Sequence, residues 1–73
     1  MARPLSKPQR RALQWLDDRG GTAILNRYGR AMAMGEAAPF EASTWLRLMI
    51  LGHIAPAPLE YFELTAKGRE AIA

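Results

Sequence analysis

Apolar positions near the start of the chain recur at helical spacing. Ala12, Leu13 and Leu16 fall on one side of a period of about 3.6 residues, so we expect them to face a core. Ser6 with Gln9 three residues later is a capping-box pattern, and a pair of glycines comes after the last apolar turn. The pattern predicts a first helix between Ser6 and those glycines.

The next segment changes to short runs that favour strands. Residues 22–25 and 30–34 flank an Asn-Arg-Tyr-Gly sequence, whose residue types are typical of a turn. We therefore expect a hairpin here. A single helix over residues 22–38 is the alternative, since Ala and Met favour helices, but Gly29 and Gly35 argue against it.

Residues 41–52 return to helical periodicity and predict a second helix that ends at Gly52. At about 100° per residue the apolar side of this helix is wide, and we expect it to be largely buried. That side contains Ala42, Trp45, Leu46, Leu48, Met49 and Ile50. The opposite face is narrow and polar, and its residues are Ser43, Thr44 and Arg47.

The end of the chain predicts a second hairpin and a short last helix. Residues 53–55 and 60–64 are the expected strands, and Pro56 and Pro58 lie at their connection, where ladder donors are not needed. Thr65 is the expected N-cap of the last helix. The elements run helix, hairpin, helix, hairpin, helix, which indicates a small α+β fold.

Length and composition indicate one small domain. The 73 residues leave room for one thin core, so we expect a single domain over residues 1–73, with residues 1–5 flexible. The sequence contains no Cys, which excludes a disulfide framework. No apolar run approaches the roughly 18 residues that cross a bilayer, so we expect a cytoplasmic protein that binds no membrane.

Charge is unevenly distributed along the chain. The net charge is +3, but residues 1–30 hold seven basic and two acidic side chains, whereas residues 31–73 hold three basic and five acidic ones. A basic half of this kind favours a polyanionic partner such as nucleic acid. Mild basicity is also common in small domains that need it only for solubility.

The C-terminal half resembles a winged-helix domain. In that family the DNA-contacting helix ends in the pattern "L..LG.I", a two-stranded wing follows, and "LT..GR" closes the wing and opens a final helix. The matching residues are Leu48, Leu51, Gly52, Ile54, Leu64, Thr65, Gly68 and Arg69. The segment "FELTAKGREAIA" is similar to the same part of bacterial regulators related to the multiple-antibiotic-resistance repressors. The resemblance implies a winged-helix-like fold, binding to duplex DNA and a role in transcription regulation.

The N-terminal half departs from that family. "RRALQWLDDRGG" resembles the opening helix of such domains, but a hairpin is expected where the family has a second helix before the DNA-contacting one. The patterns "RRAL.WL", "G...A.GE.AP" and "STW..L" resemble small phage and prophage proteins. This second resemblance implies a variant winged helix of phage or bacterial origin.

The residues suited to DNA binding lie on two helices and the first turn. Ser43, Thr44 and Arg47 would face the major groove or its phosphates, and Arg47 alone among them can make a bidentate contact to guanine. The contacts to the DNA backbone would come from Arg27, Tyr28, Arg30, Lys7, Arg10 and Arg11. In the alternative interpretation, Ser43 or Thr44 caps the helix, Arg47 lies on its solvated face, and Tyr28 lies at the edge of the core.

A protein partner is the second functional hypothesis. Between Thr44 and His53 the second helix carries one charge, and Glu60 and Glu63 would place negative charge on the predicted wing. These features favour a phage-encoded inhibitor that binds a host protein complex, as an anti-CRISPR protein does. A homodimer is a further hypothesis, either through an apolar surface of Met32, Met34, Met49 and Trp45 or through Ile50 and Leu51. In the alternative interpretation, the methionines and Trp45 belong to the core.

No set of residues supports catalysis, a metal or a cofactor. His53 is the single histidine, with no Cys and no carboxylate cluster near it in sequence. Asp17 and Asp18 are adjacent, so their carboxylates diverge on a helix. We therefore expect a non-enzymatic protein without cofactor, metal or small-molecule ligand.

Overall fold

The structure is a computed structural model that describes residues 5–73. Its first helix, α1 (Lys7–Asp18), begins at the predicted capping box. The Gln9 N–H donates to the Ser6 hydroxyl oxygen at 3.3 Å, and the Ser6 N–H donates to Gln9 Oε1 at 3.1 Å. The three predicted core residues of this helix are fully buried, namely Ala12, Leu13 and Leu16.

In the described part of the chain, residues 5–73, five antiparallel strands form one sheet. They are β1 (Thr22–Leu25), β2 (Ala31–Ala33), β3 (Glu36–Ala37), β4 (Ile54–Pro56) and β5 (Tyr61–Leu64). Their order in the sheet is β3-β2-β1-β5-β4, so the two predicted hairpins join where β1 pairs with β5. The hairpin expected over residues 22–34 is confirmed, and the alternative helix over residues 22–38 is wrong.

The edge strand β3 is not predicted by the sequence. Met34, expected in the second strand, instead forms a tight turn with Gly35, and their φ angles are 50° and 77°. This turn pairs Ala33 with Glu36 across the β2–β3 hairpin. The prediction stopped at Met34 because a methionine gives no signal for a positive φ, although the glycine beside it does.

The buried side of the second helix, α2 (Ala42–Ile50), is narrower than predicted. Trp45 and Leu48 are buried, but Leu46 is 61% exposed and Ile50 is 72% exposed. This helix of nine residues packs against α1 and β4 along one narrow stripe. Leu46 lies about 100° around the helix from Trp45, and that turn carries its side chain out of the stripe.

Both ends of α2 are defined by the backbone. Its N-cap is Glu41, so the alternative interpretation in which Ser43 or Thr44 caps the helix is wrong. At the other end the Gly52 N–H donates to Met49 O and the His53 N–H donates to Leu48 O, each at 3.0 Å. This is a Schellman arrangement, and it requires the positive φ of 84° that Gly52 adopts.

The last helix, α3 (Ala66–Ile72), follows β5 directly. Thr65 is its N-cap, and the Thr65 hydroxyl oxygen accepts a hydrogen bond from the Gly68 N–H at 3.0 Å. Pro58 opens a 3-10 turn (Pro58–Glu60) between the strands, as a connecting residue should. Pro56 instead belongs to β4, which is tolerated because β4 is an edge strand whose outer side has no partner strand among residues 5–73.

The core lies between the helices and one face of the sheet. Trp45 is at its centre, with ring centroids 6.3 Å from Trp15, 5.9 Å from Phe40 and 5.3 Å from Phe62. Leu5, expected to be flexible, is partly buried against this core, whereas residues 1–4 lie outside the described residues. Within residues 5–73, none of the helices has the length and apolar character that crossing a membrane requires.

Candidate nucleic-acid interface

The first hairpin turn presents an aromatic ring between two cations. Asn26 Oδ1 accepts hydrogen bonds from the backbone N–H groups of Tyr28 at 2.8 Å and Arg30 at 3.0 Å, which fixes the turn. Tyr28 is 81% exposed, so its predicted alternative position at the edge of the core is wrong. Arg27 and Arg30 are exposed on either side of it. We call residues 27–30 the basic tip.

The basic tip lies beside the start of α2. A Cβ placed on Gly29 would stand 3.3 Å from the Cβ of Ala42, the first residue of α2. Arg30 Nη1 donates a hydrogen bond to the carbonyl oxygen of Phe40 at 3.3 Å, just before the helix. The turn and the helix are therefore brought together although they are more than ten residues apart along the chain.

The outward face of α2 mixes polar and apolar side chains. Ser43 and Arg47 are exposed one turn apart, as the sequence predicts, while Thr44 is half-buried. Leu46 and Ile50 share this exposed side. Arg47 is the single charged residue of α2, so the helix presents little charge of its own to a ligand.

Arg47 also belongs to a second group of cations. It lines a groove of about 910 Å³ between the start of α1, the end of α2 and α3. Arg10 and Lys67 line the same groove, where Arg10 Nη1 donates to Ala71 O at 3.0 Å and Lys67 Nζ donates to Leu51 O at 2.7 Å. We call this the basic groove. The structure thus places Arg10 with Arg47, and it leaves Lys7 and Arg11 exposed elsewhere on α1.

Acidic residues limit where an anion could approach. Glu41 is next to the basic tip as the N-cap of α2, and Glu70 lines the basic groove. The turn between β4 and β5 exposes Leu59 and Glu60 and carries no cation. This β4–β5 turn is therefore poorly suited to contact DNA. Elsewhere, Glu36 is paired with Arg19 at 3.1 Å, so the Arg19 guanidinium is already engaged.

The single histidine is part of the wall of the basic groove. His53 is 8% exposed, and its Nδ1 atom has no hydrogen-bond partner among residues 5–73. Burial lowers the pKa of His53 from its usual 6.5, and the neighbouring Lys67 ammonium lowers it further. In the part of the chain that the structure describes, no three His, Asp or Glu side chains cluster so as to hold a metal ion.

The residues expected to mediate self-association divide into buried and exposed ones. Trp45 is buried in the core and cannot form a surface, and Met32 and Met49 are partly buried. The exposed members are Met34, Ile50 and Leu51.

The sequence did not indicate the basic groove. Its two tethered cations belong to helices at opposite ends of the chain, and Leu5 and His53 on its walls carry no motif. No local pattern reports such a site, because its members meet only after the three helices have packed.

No protein-family model, no curated protein and no solved structure matches this chain.

Proposed function

We propose that the protein binds duplex DNA through the outward face of α2 and the basic tip beside it. The order of its elements, with β1 and β5 paired and a hairpin after α2, is compatible with the winged-helix resemblance of residues 48–69. In this proposal α2 approaches the major groove and the protein acts as a small phage or bacterial regulator.

The observation that carries the proposal is the position of the basic tip at the start of α2. Arg27 and Arg30 offer two guanidinium groups to phosphates, and the Tyr28 ring is free to stack or pack against the DNA backbone. The tip extends the contact surface beyond the start of α2. This gives α2 a neighbour that can hold it against DNA.

Sequence specificity is expected to be low. Arg47 is the only residue on the outward face of α2 able to make a bidentate contact to guanine, and such a contact discriminates by about 1–3 kcal/mol. Most of the affinity would come from phosphates, so binding should weaken steeply as salt is raised.

Titration of labelled duplex by fluorescence anisotropy, from about 50 mM to about 200 mM salt, tests the proposal. Arg27→Gln with Arg30→Gln should weaken binding to all duplexes and reduce the salt slope by about 2. Arg47→Ala should lower any sequence preference. Arg69→Gln is the matched control, because its guanidinium lies beside Gly21, at the α1–β1 turn.

Two results would end the DNA proposal: no binding at low salt, or equal binding by the double variant and the unaltered protein. A light-scattering mass, measured on the same samples, would show whether the protein binds as a dimer. A dimer would double the phosphate contacts and would steepen the dependence on salt.

The second candidate function is binding to a host protein complex, as in an anti-CRISPR inhibitor. The exposure of Leu46 and Ile50 on the outward face of α2 favours it, because exposed aliphatic side chains suit a protein surface better than a DNA groove. Leu46→Asp with Ile50→Asp should abolish co-purification with such a complex. Co-purification that survives this change, or that requires DNA, would contradict this candidate.

A further inference from the structure

The basic groove brings three cationic side chains from three helices to one concave surface. Arg10 belongs to α1, Arg47 to α2 and Lys67 to α3, and all three line the groove. Glu70 is the one acidic residue in the lining, and it leaves an excess of positive charge. Like charges gathered in a concavity attract an anion more strongly than the same charges spread over a convex surface.

Two of the three cations are held in place by the backbone. Arg10 Nη1 donates to Ala71 O at 3.0 Å, and Lys67 Nζ donates to Leu51 O at 2.7 Å. Each bond uses one donor and leaves others free, since a guanidinium carries five N–H groups and an ammonium three. A ligand anion would therefore meet donors whose positions are already restricted, which lowers the entropic cost of binding.

The walls of the groove are partly apolar. Leu5, Leu51 and Ala71 contribute them, and the largely buried His53 also lines the groove. The volume of about 910 Å³ falls in the range of sites for small organic molecules. A bare inorganic ion would leave the apolar walls in contact with water, whereas an anion with an apolar body would cover them.

We propose that the basic groove binds a small organic anion, with its phosphate or carboxylate between Arg10, Arg47 and Lys67 and its apolar body on Leu5 and Leu51. The site does not depend on the proposed DNA binding, because the basic tip takes no part in it. The two functions share Arg47, so the ligand and duplex DNA compete where both bind.

Titration of the whole protein with phenyl phosphate, followed by amide chemical shifts, tests the site. The shifts should concentrate at Arg10, Arg47 and Lys67 and leave the basic tip unchanged. Benzoate should bind at the same residues, which would show that the site accepts either acid group. Inorganic phosphate should bind at least about tenfold more weakly than phenyl phosphate, and benzyl alcohol should not bind measurably.

Substitutions identify the residues responsible. Arg47→Gln should weaken phenyl phosphate binding by about tenfold, since a hydrogen bond to a charged group contributes about that factor. This residue is exposed, so the variant should remain folded, which thermal unfolding would check. Arg69→Gln, on the same helix as Lys67 but outside the groove, should bind as the unaltered protein does.

Equal affinity in the Arg47→Gln variant would overturn the proposal, as would chemical-shift changes centred on the basic tip. Equal affinity for inorganic phosphate and phenyl phosphate would also overturn it, because the apolar walls would then have no role. The variant with Arg27→Gln and Arg30→Gln separates the two functions. If this double variant binds phenyl phosphate with unchanged affinity, the proposal for the basic groove holds whether or not the protein binds DNA.

Discussion

Large apolar residues of α2 that the sequence assigns to the same side of the helix lie in opposite environments in the structure. Leu48 is fully buried, whereas Leu46, two residues earlier, is 61% exposed. Trp45 fills the centre of the core, whereas Ile50 is 72% exposed near the end of the helix. The inner face thus supports the fold, and the outer face stays exposed.

This difference arises from the size of the domain. A short helix in a small protein touches its neighbours along one stripe, and residues about 100° from that stripe face solvent whatever their hydrophobicity. The exposure of the aliphatic residues next to Arg47 is therefore expected for a domain of this size. They make the outer face of α2 amphipathic, which suits a protein partner and weakens the case for sequence-specific contact with DNA.

The largest expected effect comes from removing the centre of the inner face. Trp45→Ala should cost about 3–5 kcal/mol, because three aromatic rings pack on the indole and would line a cavity. A domain of this length has a stability of only about 4–11 kcal/mol, so much of it would be lost. Urea unfolding followed by circular dichroism measures the change. A loss below about 1 kcal/mol would contradict this account of the core.

The leucine pair gives the sharpest comparison of the two faces. Leu48→Ala should cost about 2–5 kcal/mol, whereas Leu46→Ala should change stability by no more than about 0.5 kcal/mol. The substitution is the same and the helix is the same, so burial alone distinguishes the two positions. Equal losses in urea unfolding would show that the outer face of α2 is covered in solution, for instance in a dimer.

A smaller effect should follow from filling the close contact between α3 and His53, which follows α2. A Cβ on Gly68 would collide with the carbonyl oxygen of His53 and stand 2.7 Å from Leu64 Cδ1. Gly68→Ala should therefore cost about 1–3 kcal/mol, as overpacking does. Arg69→Ala, at the next position of α3, should stay within about 0.5 kcal/mol. An unchanged melting temperature for Gly68→Ala would mean that α3 is not packed against this carbonyl.

The smallest effect concerns pH. The pKa of His53 is lowered in the folded protein from its usual 6.5, first by burial and then by Lys67. The unfolded chain therefore takes up the proton first, and stability should fall as pH is lowered from about 8 to about 5.5. Melting temperatures across this range measure the slope. His53→Gln should flatten it, and an equal slope in that variant would assign the effect to other groups.

Much of the fold follows from local patterns. Ser6 with Gln9, Gly52 and Thr65 each mark the end of a helix through hydrogen bonds among neighbours in sequence, and all three were placed correctly. The missed strand β3 depends on Met34 adopting a positive φ, which its residue type disfavours. The methionine gives no sign of this conformation, and only Gly35 beside it favours a turn.

The candidate site likewise has one part that follows from the local sequence and another that depends on tertiary packing. The composition of the basic tip is readable from residues 26–30, because Asn26 organises the turn through local hydrogen bonds. The position of the tip beside α2 and the meeting of Arg10, Arg47 and Lys67 are not readable from the sequence. They result from the packing of elements that are distant in the chain.

The sequence by itself determined where the three helices and the two hairpins lie, the asymmetry of charge and the residues of the first turn, because each depends on interactions within a few residues. Only the tertiary structure decided how much of the apolar side of α2 is exposed and which cations share a groove. These depend on how much surface the neighbouring elements can cover, and a chain of 73 residues cannot cover all of its apolar side chains.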